Sequence, residues 1–297
     1  MRIALAQINA HLGNFEENYR KIIEYTNRAK ERRCDIVVFP EATLFGYHPM
    51  DLLKRDSIVK AEVQYIKKIS KAIPKGIVVL FGAFTQNPSS RGKPYFNSAI
   101  ALEKNKKPWI CHKELLPTYD VFDDARHIEP GDMSKNIFRY KGKKILITIC
   151  EDIWAWPMTG QKKKSYYDIN PIKKIKPGSV DLILNLSASP FFTKKMERRL
   201  KVTRATASFI QAPMVYVNMV GGQDELLFDG GSFAINQKGK VLCQCLQFHE
   251  DLGIVDFSKE LGTRHELSKS IEENMRQAVV MGIRDFVHKT GQKRVHL

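Results

Sequence analysis

At 297 residues, the chain is long enough to bury a substantial core within one large α/β domain. Its hydrophobic fraction of 43% and charged fraction of 27% are typical of a soluble globular protein, and no segment approaches the roughly 20 apolar residues that span a bilayer. The formal net charge of +16 is not accompanied by an RNA-binding, zinc-finger or helix-turn-helix signature, which disfavours nucleic-acid binding as a main role.

The basic residues indicate the character of the protein surface, and the cysteines indicate the cellular compartment. Lysines and arginines cluster in residues 162–164, 173–176 and 194–201, and we interpret these clusters as solvated surface or one side of an interface with an acidic partner. The five cysteines lack the spacing of a disulfide framework, and the first residues lack the pattern of a signal peptide. We therefore predict a cytoplasmic protein without a membrane segment.

Strand-like and helix-like segments alternate along the chain, which is typical of α/β proteins. A first strand is predicted over residues 2–8, and a first helix after Asn14, which offers an N-cap with Glu17 three residues later. The next strands are predicted over residues 35–39, 77–82, 97–102, 144–149, 181–184, 214–218 and 251–257, and further helices over residues 57–72 and from 193 onward.

The last third of the chain has a different pattern. GSFAINQKGKVLCQC predicts a hairpin with a Lys238-Gly239 turn, so we expect a layered α/β sandwich with antiparallel pieces rather than a purely parallel sheet. Residues 266–289 predict a long amphipathic helix that stops at Gly291. The final QKRVHL resembles the start of a strand, which we interpret as a boundary within a longer polypeptide, a natural tail being the alternative.

Three predicted strands lead into residues that together suit amide hydrolysis. Glu41 follows the second strand in PEATLFGY, Lys113 follows the segment KPWICH, and Cys150 ends the strand KKILITI. The carboxyl ends of strands are where α/β sheets collect catalytic groups. A thiol would be the nucleophile, a carboxylate the general base, and an ammonium with a backbone N–H would stabilise the tetrahedral oxyanion. Taken singly, each of these residues could also be an ordinary packing or surface residue. The three residues together indicate a candidate thiol amidase.

Other chemistries have less support. The eight histidines show no metal-ligand spacing, so no metal site is predicted. No Walker-type phosphate loop occurs, and no dinucleotide fingerprint follows the first strand. We interpret the pairs Gly221-Gly222 and Gly230-Gly231 as turns or close backbone approaches.

The flanking residues add a family resemblance. Five segments occur in the order PEATLFGYHPMDLL, KELLPTYDVFDDARHIEPG, CEDIW, NLSASPF and VGGQDELLFDGGS, and they resemble motifs of the nitrilase superfamily of carbon–nitrogen hydrolases. Within that superfamily they are similar to the glutaminase domain of glutamine-dependent NAD⁺ synthetases. The resemblance implies a four-layer αββα sandwich over residues 1–263, with residues 264–297 as a connecting helix and the start of a truncated ATP-pyrophosphatase domain.

The resemblance also implies roles for individual residues. The Glu-Lys-Cys triad of the family falls on Glu41, Lys113 and Cys150. Asp124 stands where the family has a second active-site glutamate, and because its arm is one methylene shorter we expect it to reach its partner through a water or a small backbone shift. The residues implied to line or assist the substrate pocket are Tyr47, Tyr119, Ser189 and Lys195.

The implied activity is release of ammonia from L-glutamine through a γ-glutamyl thioester. A synthetase domain would use that ammonia with ATP, Mg²⁺ and deamido-NAD⁺, so no cofactor is expected within residues 1–263, and a homo-oligomer is expected. Two alternatives stay open at this point. One is a stand-alone nitrilase-like amidase for another small amide, and the other is a catalytically idle regulatory domain, which the change at Asp124 would favour.

Overall fold

The computed structural model describes residues 1–157 and 167–296. The strands are β1 Arg2–Gln7, β2 Ile36–Val38, β3 Val78–Gln86, β4 Tyr95–Leu102, β5 Trp109–His112, β6 Ile137–Tyr140, β7 Lys143–Ile149, β8 Leu182–Ser187, β9 Met214–Asn218, β10 Val220–Gln223, β11 Leu226–Asp229, β12 Phe233–Ile235, β13 Val241–Gln244, β14 Asp251–Asp256 and β15 Leu261–Gly262. The α-helices are α1 Phe15–Glu31, α2 Asp56–Ala72, α3 Lys195–Ile210 and α4 Ile271–Lys289. Short 3-10 helices lie at Met50–Lys54, Asp124–Arg126, Met133–Lys135, Cys150–Ile153 and Pro171–Lys174.

Two mixed sheets organise the described part of the chain. The first has the strand order β15-β14-β1-β2-β3-β4-β5, and the second has the order β13-β12-β9-β8-β7-β6. Parallel pairs join β1, β2 and β3 in the first sheet and β7, β8 and β9 in the second. Antiparallel strands flank both parallel centres. The antiparallel pieces expected from the sequence are therefore confirmed.

The side chains of each central strand alternate between two separate cores. In β1, Ile3 and Leu5 face the space between the sheets, whereas Ala4 and Ala6 face the core under α1 and α2. A third core joins the second sheet to α3 through side chains that include Val202. This period of two is what a strand buried on both faces requires. The layers are helices, sheet, sheet and helix, so the predicted αββα sandwich is confirmed.

Helix α1 begins where the sequence predicts it. The Asn14 Oδ1 accepts the backbone N–H of Glu17 at 3.2 Å, and the Asn14 amide in turn donates to the Glu17 carboxylate at 3.0 Å. Ile22 and Ala29, both fully buried, lie on the face that packs on the first sheet. The predicted hairpin is likewise present as the antiparallel pair β12–β13.

The C-terminal part differs from the prediction in two respects. Helix α4 starts at Ile271 rather than at 266, because the Ser270 hydroxyl caps it by accepting the Glu273 N–H at 3.1 Å. The strand predicted after Gly291 is wrong for residues 292–296, which pair with no strand edge among the described residues. Helix α4 packs on β10, and a separate unit over residues 264–297 stays a prediction.

Several elements carried no clear sequence signal. The strand β6 and the hairpin β10–β11 were not predicted, because each strand is only four residues long and gains its order from its partner. Along residues 1–157 and 167–296, no helix is long and apolar enough to cross a bilayer. The basic cluster at residues 162–164 lies outside the described residues.

Candidate functional site

The three predicted strand-end residues come together between the two sheets. Glu41 follows β2 and Lys113 follows β5 in the first sheet, and Cys150 follows β7 in the second. All three are buried, with relative exposures of 0%, 1% and 8%. The first sheet thus carries the carboxylate and the ammonium, and the second sheet carries the thiol.

The Glu41 carboxylate is held by three donors. Its Oε1 accepts hydrogen bonds from the Lys113 ammonium at 2.9 Å and from the Asn97 amide at 2.7 Å. Its Oε2 accepts the Ala188 backbone N–H at 3.0 Å, across the gap between the sheets. The three bonds satisfy the oxygens of this buried carboxylate and fix its orientation.

Lys113 lies between two carboxylates. Its Nζ is 2.9 Å from Glu41 and 2.8 Å from the Asp124 Oδ2. Burial alone would lower the pKa of Lys113, but the adjacent Asp124 and Glu41 carboxylates raise it well above its usual value. The lysine is therefore a permanent cation at neutral pH, positioned beside Cys150.

Asp124 contacts Lys113 directly rather than through a water, which agrees with the second expected route, a small backbone shift. Asp124 opens a 3-10 helix, and its backbone N–H donates to the Pro117 carbonyl at 3.2 Å. This turn brings the shorter side chain into direct contact with Lys113, and its Oδ1 accepts the Tyr47 hydroxyl at 3.2 Å. The backbone path thus supplies the reach that the missing methylene would have given.

Cys150 has a strained backbone at the end of β7. Its φ of +41° is a left-handed conformation that non-glycine residues rarely adopt, and such strain is concentrated at functional sites. Burial raises the pKa of the Cys150 thiol well above its usual value, and the Glu41 charge adds to the rise. Lys113 and the Ala188 N–H oppose the rise without cancelling it. The resting thiol is therefore protonated.

Asp152 connects the lysine-bearing loop to the cysteine-bearing turn. Its Oδ1 accepts the backbone N–H groups of Glu114 and Leu115 at 2.9 and 3.0 Å. Its Oδ2 accepts the Ile149 N–H at 2.8 Å. One side chain therefore fixes the residues next to both Lys113 and Cys150, a role that its position in CEDIW did not reveal.

A small pocket opens beside Cys150, with a cavity volume of about 20 Å³. Tyr47 and Tyr119 contribute to its wall, as the sequence predicts, although their hydroxyls point at the carboxylates of Asp124 and Glu151. Ser189 and Lys195 also line it, with the lysine ammonium 4.1 Å from the centre of the Trp154 ring. The predicted residues of the pocket are thus all at its wall, and their roles stay a prediction.

Glu151 is a pocket residue that sequence reasoning missed. It is 6% exposed, and its Oε1 accepts the hydroxyls of Tyr119 and Tyr167, each at 2.9 Å. Burial raises the pKa of Glu151, while Lys113 and the two tyrosines lower it. An acidic residue directly after a candidate nucleophile at the end of an apolar strand was the signal available in CEDIW.

Comparison with known proteins provides the family. The family model described as carbon-nitrogen hydrolase matches residues 2–159 and 166–264. The chain is 38% identical over 302 residues to the glutamine-dependent NAD(+) synthetase of Synechocystis sp., an alignment that covers 97% of this chain and 53% of the relative. The chain spans about half the length of the curated relatives it matches.

Solved structures agree with the assignment. The glutamine-dependent NAD+ synthetase from Acinetobacter baumannii in complex with ADP matches with a TM-score of 0.83 and 34% identity, over 98% of this chain and 52% of that one. An amidase from Nesterenkonia sp. matches with a TM-score of 0.70 and 21% identity, over 86% of this chain and 90% of that one, which shows the same fold. Because the family model matches most of its length, the chain belongs to the carbon–nitrogen hydrolase family.

Proposed function

We propose that this chain is a thiol amidohydrolase that releases ammonia from L-glutamine, as the glutaminase part of a glutamine-dependent NAD⁺ synthetase. The observation that carries the proposal is the buried Lys113 ammonium, held at 2.9 and 2.8 Å between Glu41 and Asp124 beside the Cys150 thiol. Relatives with the name glutamine-dependent NAD(+) synthetase support the choice of amide.

The first half-reaction uses Glu41 as the base. As the Cys150 sulfur attacks the amide carbon, its proton passes to Glu41, because the raised thiol pKa leaves little thiolate beforehand. The developing oxyanion is stabilised by Lys113 and by a backbone N–H at the start of the Cys150–Ile153 turn. Glu41 then returns the proton to the nitrogen, the carbon–nitrogen bond breaks, and ammonia leaves a γ-glutamyl thioester.

The second half-reaction consumes water. Glu41 takes a proton from a water molecule, whose oxygen attacks the thioester carbon, and the same Lys113 ammonium again stabilises the oxyanion. When the carbon–sulfur bond breaks, the proton on Glu41 returns to the Cys150 sulfur. Glutamate leaves, and the enzyme is back in its starting protonation state.

The charges of the pocket suit an amino-acid amide. Burial raises the pKa of Glu151, so a cationic ligand group near that carboxylate would relieve its desolvation. Burial and the Arg199 charge lower the pKa of Lys195 to about 8, so an anionic ligand group would stabilise its ammonium. We assign the α-ammonium of glutamine to Glu151 and its α-carboxylate to Lys195, with Ser189 and the rings of Tyr47 and Tyr119 shaping the wall.

The ammonia would be consumed elsewhere in a longer assembly. The relatives are about twice as long as this chain, and we propose that a C-terminal synthetase part uses the ammonia to amidate deamido-NAD⁺ with ATP and Mg²⁺. No residue of this chain is assigned to a cofactor or a metal. A homo-oligomer in the cytoplasm belongs to the same proposal.

Replacing the nucleophile tests the proposal directly. Cys150→Ala should abolish ammonia release from glutamine and the covalent labelling by a glutamine-like electrophile, while the melting temperature stays near that of the wild type. Glu41→Gln should lose at least about 100-fold in turnover, because it carries both proton transfers. Cys34→Ala is the matched control, since Cys34 is also buried but lies outside the site.

Two results would replace this proposal by another. Hydrolysis of simple aliphatic amides as fast as glutamine would indicate a stand-alone amidase. If no acyl-cysteine adduct appeared by intact mass and no amide were hydrolysed, the chain would be a catalytically idle domain.

A further inference from the structure

Helix α4 lies beyond the residues matched by the family model, yet it completes the edge of the hairpin β10–β11. The Asp285 Oδ2 accepts the Gly222 N–H at 2.8 Å, and the Lys289 ammonium donates to the Gly222 carbonyl at 2.9 Å. These two side chains lie one helical turn apart, so both outward backbone groups of Gly222 are bound by α4. The helix thus takes the place of a third strand.

The same two side chains reach the loop after β1. Asp285 also accepts the Asn9 amide at 2.8 Å, and Lys289 also donates to the Asn9 side chain at 2.6 Å and to the Ala10 carbonyl at 2.9 Å. Helix and hairpin approach so closely that a Cβ on Gly282 would lie 2.9 Å from the Leu227 side chain. The helix α4 is therefore bound by hydrogen bonds and close packing, and it has little room to move relative to the hairpin.

The other strand of the hairpin supports the wall of the pocket. The Leu227 carbonyl accepts the Phe191 N–H at 2.6 Å, directly after the Ser189-Pro190 step. The Phe228 ring packs edge-on against Tyr47, with ring centres 6.1 Å apart.

Asp229 completes this support. Its carboxylate is 2.7 Å from the buried Arg199 guanidinium, which in turn donates to the Ser189 carbonyl at 2.6 Å. Leu227, Phe228 and Asp229 follow one another in β11, so three successive residues of this strand support residues in or next to the wall of the pocket.

We propose that Asp285 and Lys289 are positioning residues for the substrate pocket, acting through the hairpin β10–β11. With α4 in place, the hairpin holds both Tyr47 and the Ser189–Phe191 segment in position. When α4 releases Gly222, the wall loosens while Glu41, Lys113 and Cys150, which are held by other elements, keep their geometry. The inference rests on the proposed glutamine hydrolysis for its kinetic readout.

The test compares substitutions in α4 that remove a hydrogen bond to Gly222 with substitutions that keep it. Asp285→Ala and Lys289→Met should each raise the KM for glutamine about five- to tenfold and change kcat by less than about twofold, because they weaken binding rather than chemistry. Asp285→Asn keeps an oxygen acceptor for Gly222, so its KM should stay within about twofold of the wild type. Arg276→Met, on an exposed part of α4, is the matched control.

Hydrogen exchange supplies a readout that does not need activity. The amide of Phe191 should exchange faster in Asp285→Ala and Lys289→Met, and at the wild-type rate in Arg276→Met. Unchanged KM and unchanged Phe191 exchange, with faster exchange confined to Gly222, would overturn the inference. Equal effects of Asp285→Ala and Asp285→Asn would also overturn it.

If the wild type does not hydrolyse glutamine, the proposed function is contradicted instead. The exchange of Phe191 would then decide the positioning role by itself. If Lys289→Met fails to fold, the pair of Asp285 variants carries the test.

Discussion

At the residue scale, the site is a compact network in which each charged group has hydrogen-bonded partners. Lys113 faces two carboxylates, and Glu41 receives three hydrogen bonds. Removing one member of such a network leaves a buried group unpaired, which costs more than the lost bond itself. Substitutions at Asp124 therefore distinguish charge from length.

We predict that Asp124→Asn lowers kcat/KM for glutamine by at least about tenfold, because Lys113 loses one of its two carboxylates. Asp124→Glu should remain active, since it keeps the charge and only lengthens the arm. Steady-state ammonia release measures both. Asp123→Asn is the control, because Asp123 is the exposed neighbour in the same loop. Equal activity of the Asp124→Asn variant and the wild type would show that the charge is unimportant.

We also predict that glutamine binding weakens as the pH rises through about 8. Burial and the Arg199 charge lower the pKa of Lys195 to about 8, so its ammonium is complete below that pH and is lost above it. The KM of the wild type should therefore rise between pH 7 and 9.5. Lys195→Arg keeps its charge over this range, and its KM should rise less. Parallel KM profiles for the two proteins would show that Lys195 does not contact the carboxylate.

At the element scale, the site depends on how closely β3 passes the segment after β2. The Gly82 N–H donates to the Pro40 carbonyl at 3.1 Å, and its carbonyl accepts the Leu44 N–H at 3.1 Å. A Cβ on Gly82 would lie 2.1 Å from the Ala42 nitrogen and 2.7 Å from the Glu41 Cα. The absence of a side chain there lets the segment that carries Glu41 lie directly on the strand.

We predict that Gly82→Ala displaces Glu41 and lowers kcat by at least about tenfold, with a loss of about 1–3 kcal/mol in the free energy of unfolding from overpacking. Chemical denaturation and ammonia release measure the two effects. Gly142→Ala serves as the comparison, because nothing lies within 4 Å of its Cβ position and its φ of +74° adds only backbone strain. A kcat equal to that of the wild type in Gly82→Ala would contradict the prediction.

At the scale of the whole molecule, two buried carboxyl groups contribute to the dependence of stability on pH. Glu62 of α2 is fully buried, with one hydrogen bond of 3.0 Å from the Phe84 N–H, and burial raises its pKa to about 8. Burial likewise raises the pKa of Asp152 to about 7, against the effect of its backbone hydrogen bonds. Both groups therefore bind their protons more tightly in the folded chain than in the unfolded one.

The sign follows from proton linkage. The stabilising contribution of protonated Glu62 is complete below its ordinary pKa of 4.5 and is lost as the pH rises towards 8. We predict that Glu62→Gln is less stable than, or equal to, the wild type near pH 4.5. The free energy of unfolding of this variant, relative to that of the wild type, should rise by at most about 1.4 kcal/mol per pH unit up to pH 8. Urea unfolding across this range measures it, and Glu24→Gln, at an exposed site on α1, should show no such trend.

Parts of the fold and of the site could be predicted from local sequence. The apolar runs before Glu41 and Cys150 predicted strands, and strand ends carry catalytic groups, so these residues were found without tertiary information. The Asn14 cap was equally local, because its hydrogen bond to Glu17 spans three residues. Tyr47 and Lys195 were instead predicted from the family resemblance of the motifs around them.

Only the tertiary structure decided how these pieces meet. The placement of Lys113 in one sheet and Cys150 in the other depends on long-range strand pairing, and no local pattern encodes it. Glu151 acquires its character from two tyrosine hydroxyls and from burial, and Asp124 reaches Lys113 because of a backbone turn. The sequence by itself determined the candidate reactive residues at the strand ends and the alternation of the strands, since both are local. The distances within the site, the protonation of its buried groups and the contact of α4 with the hairpin depend on packing, because packing joins residues far apart in the chain.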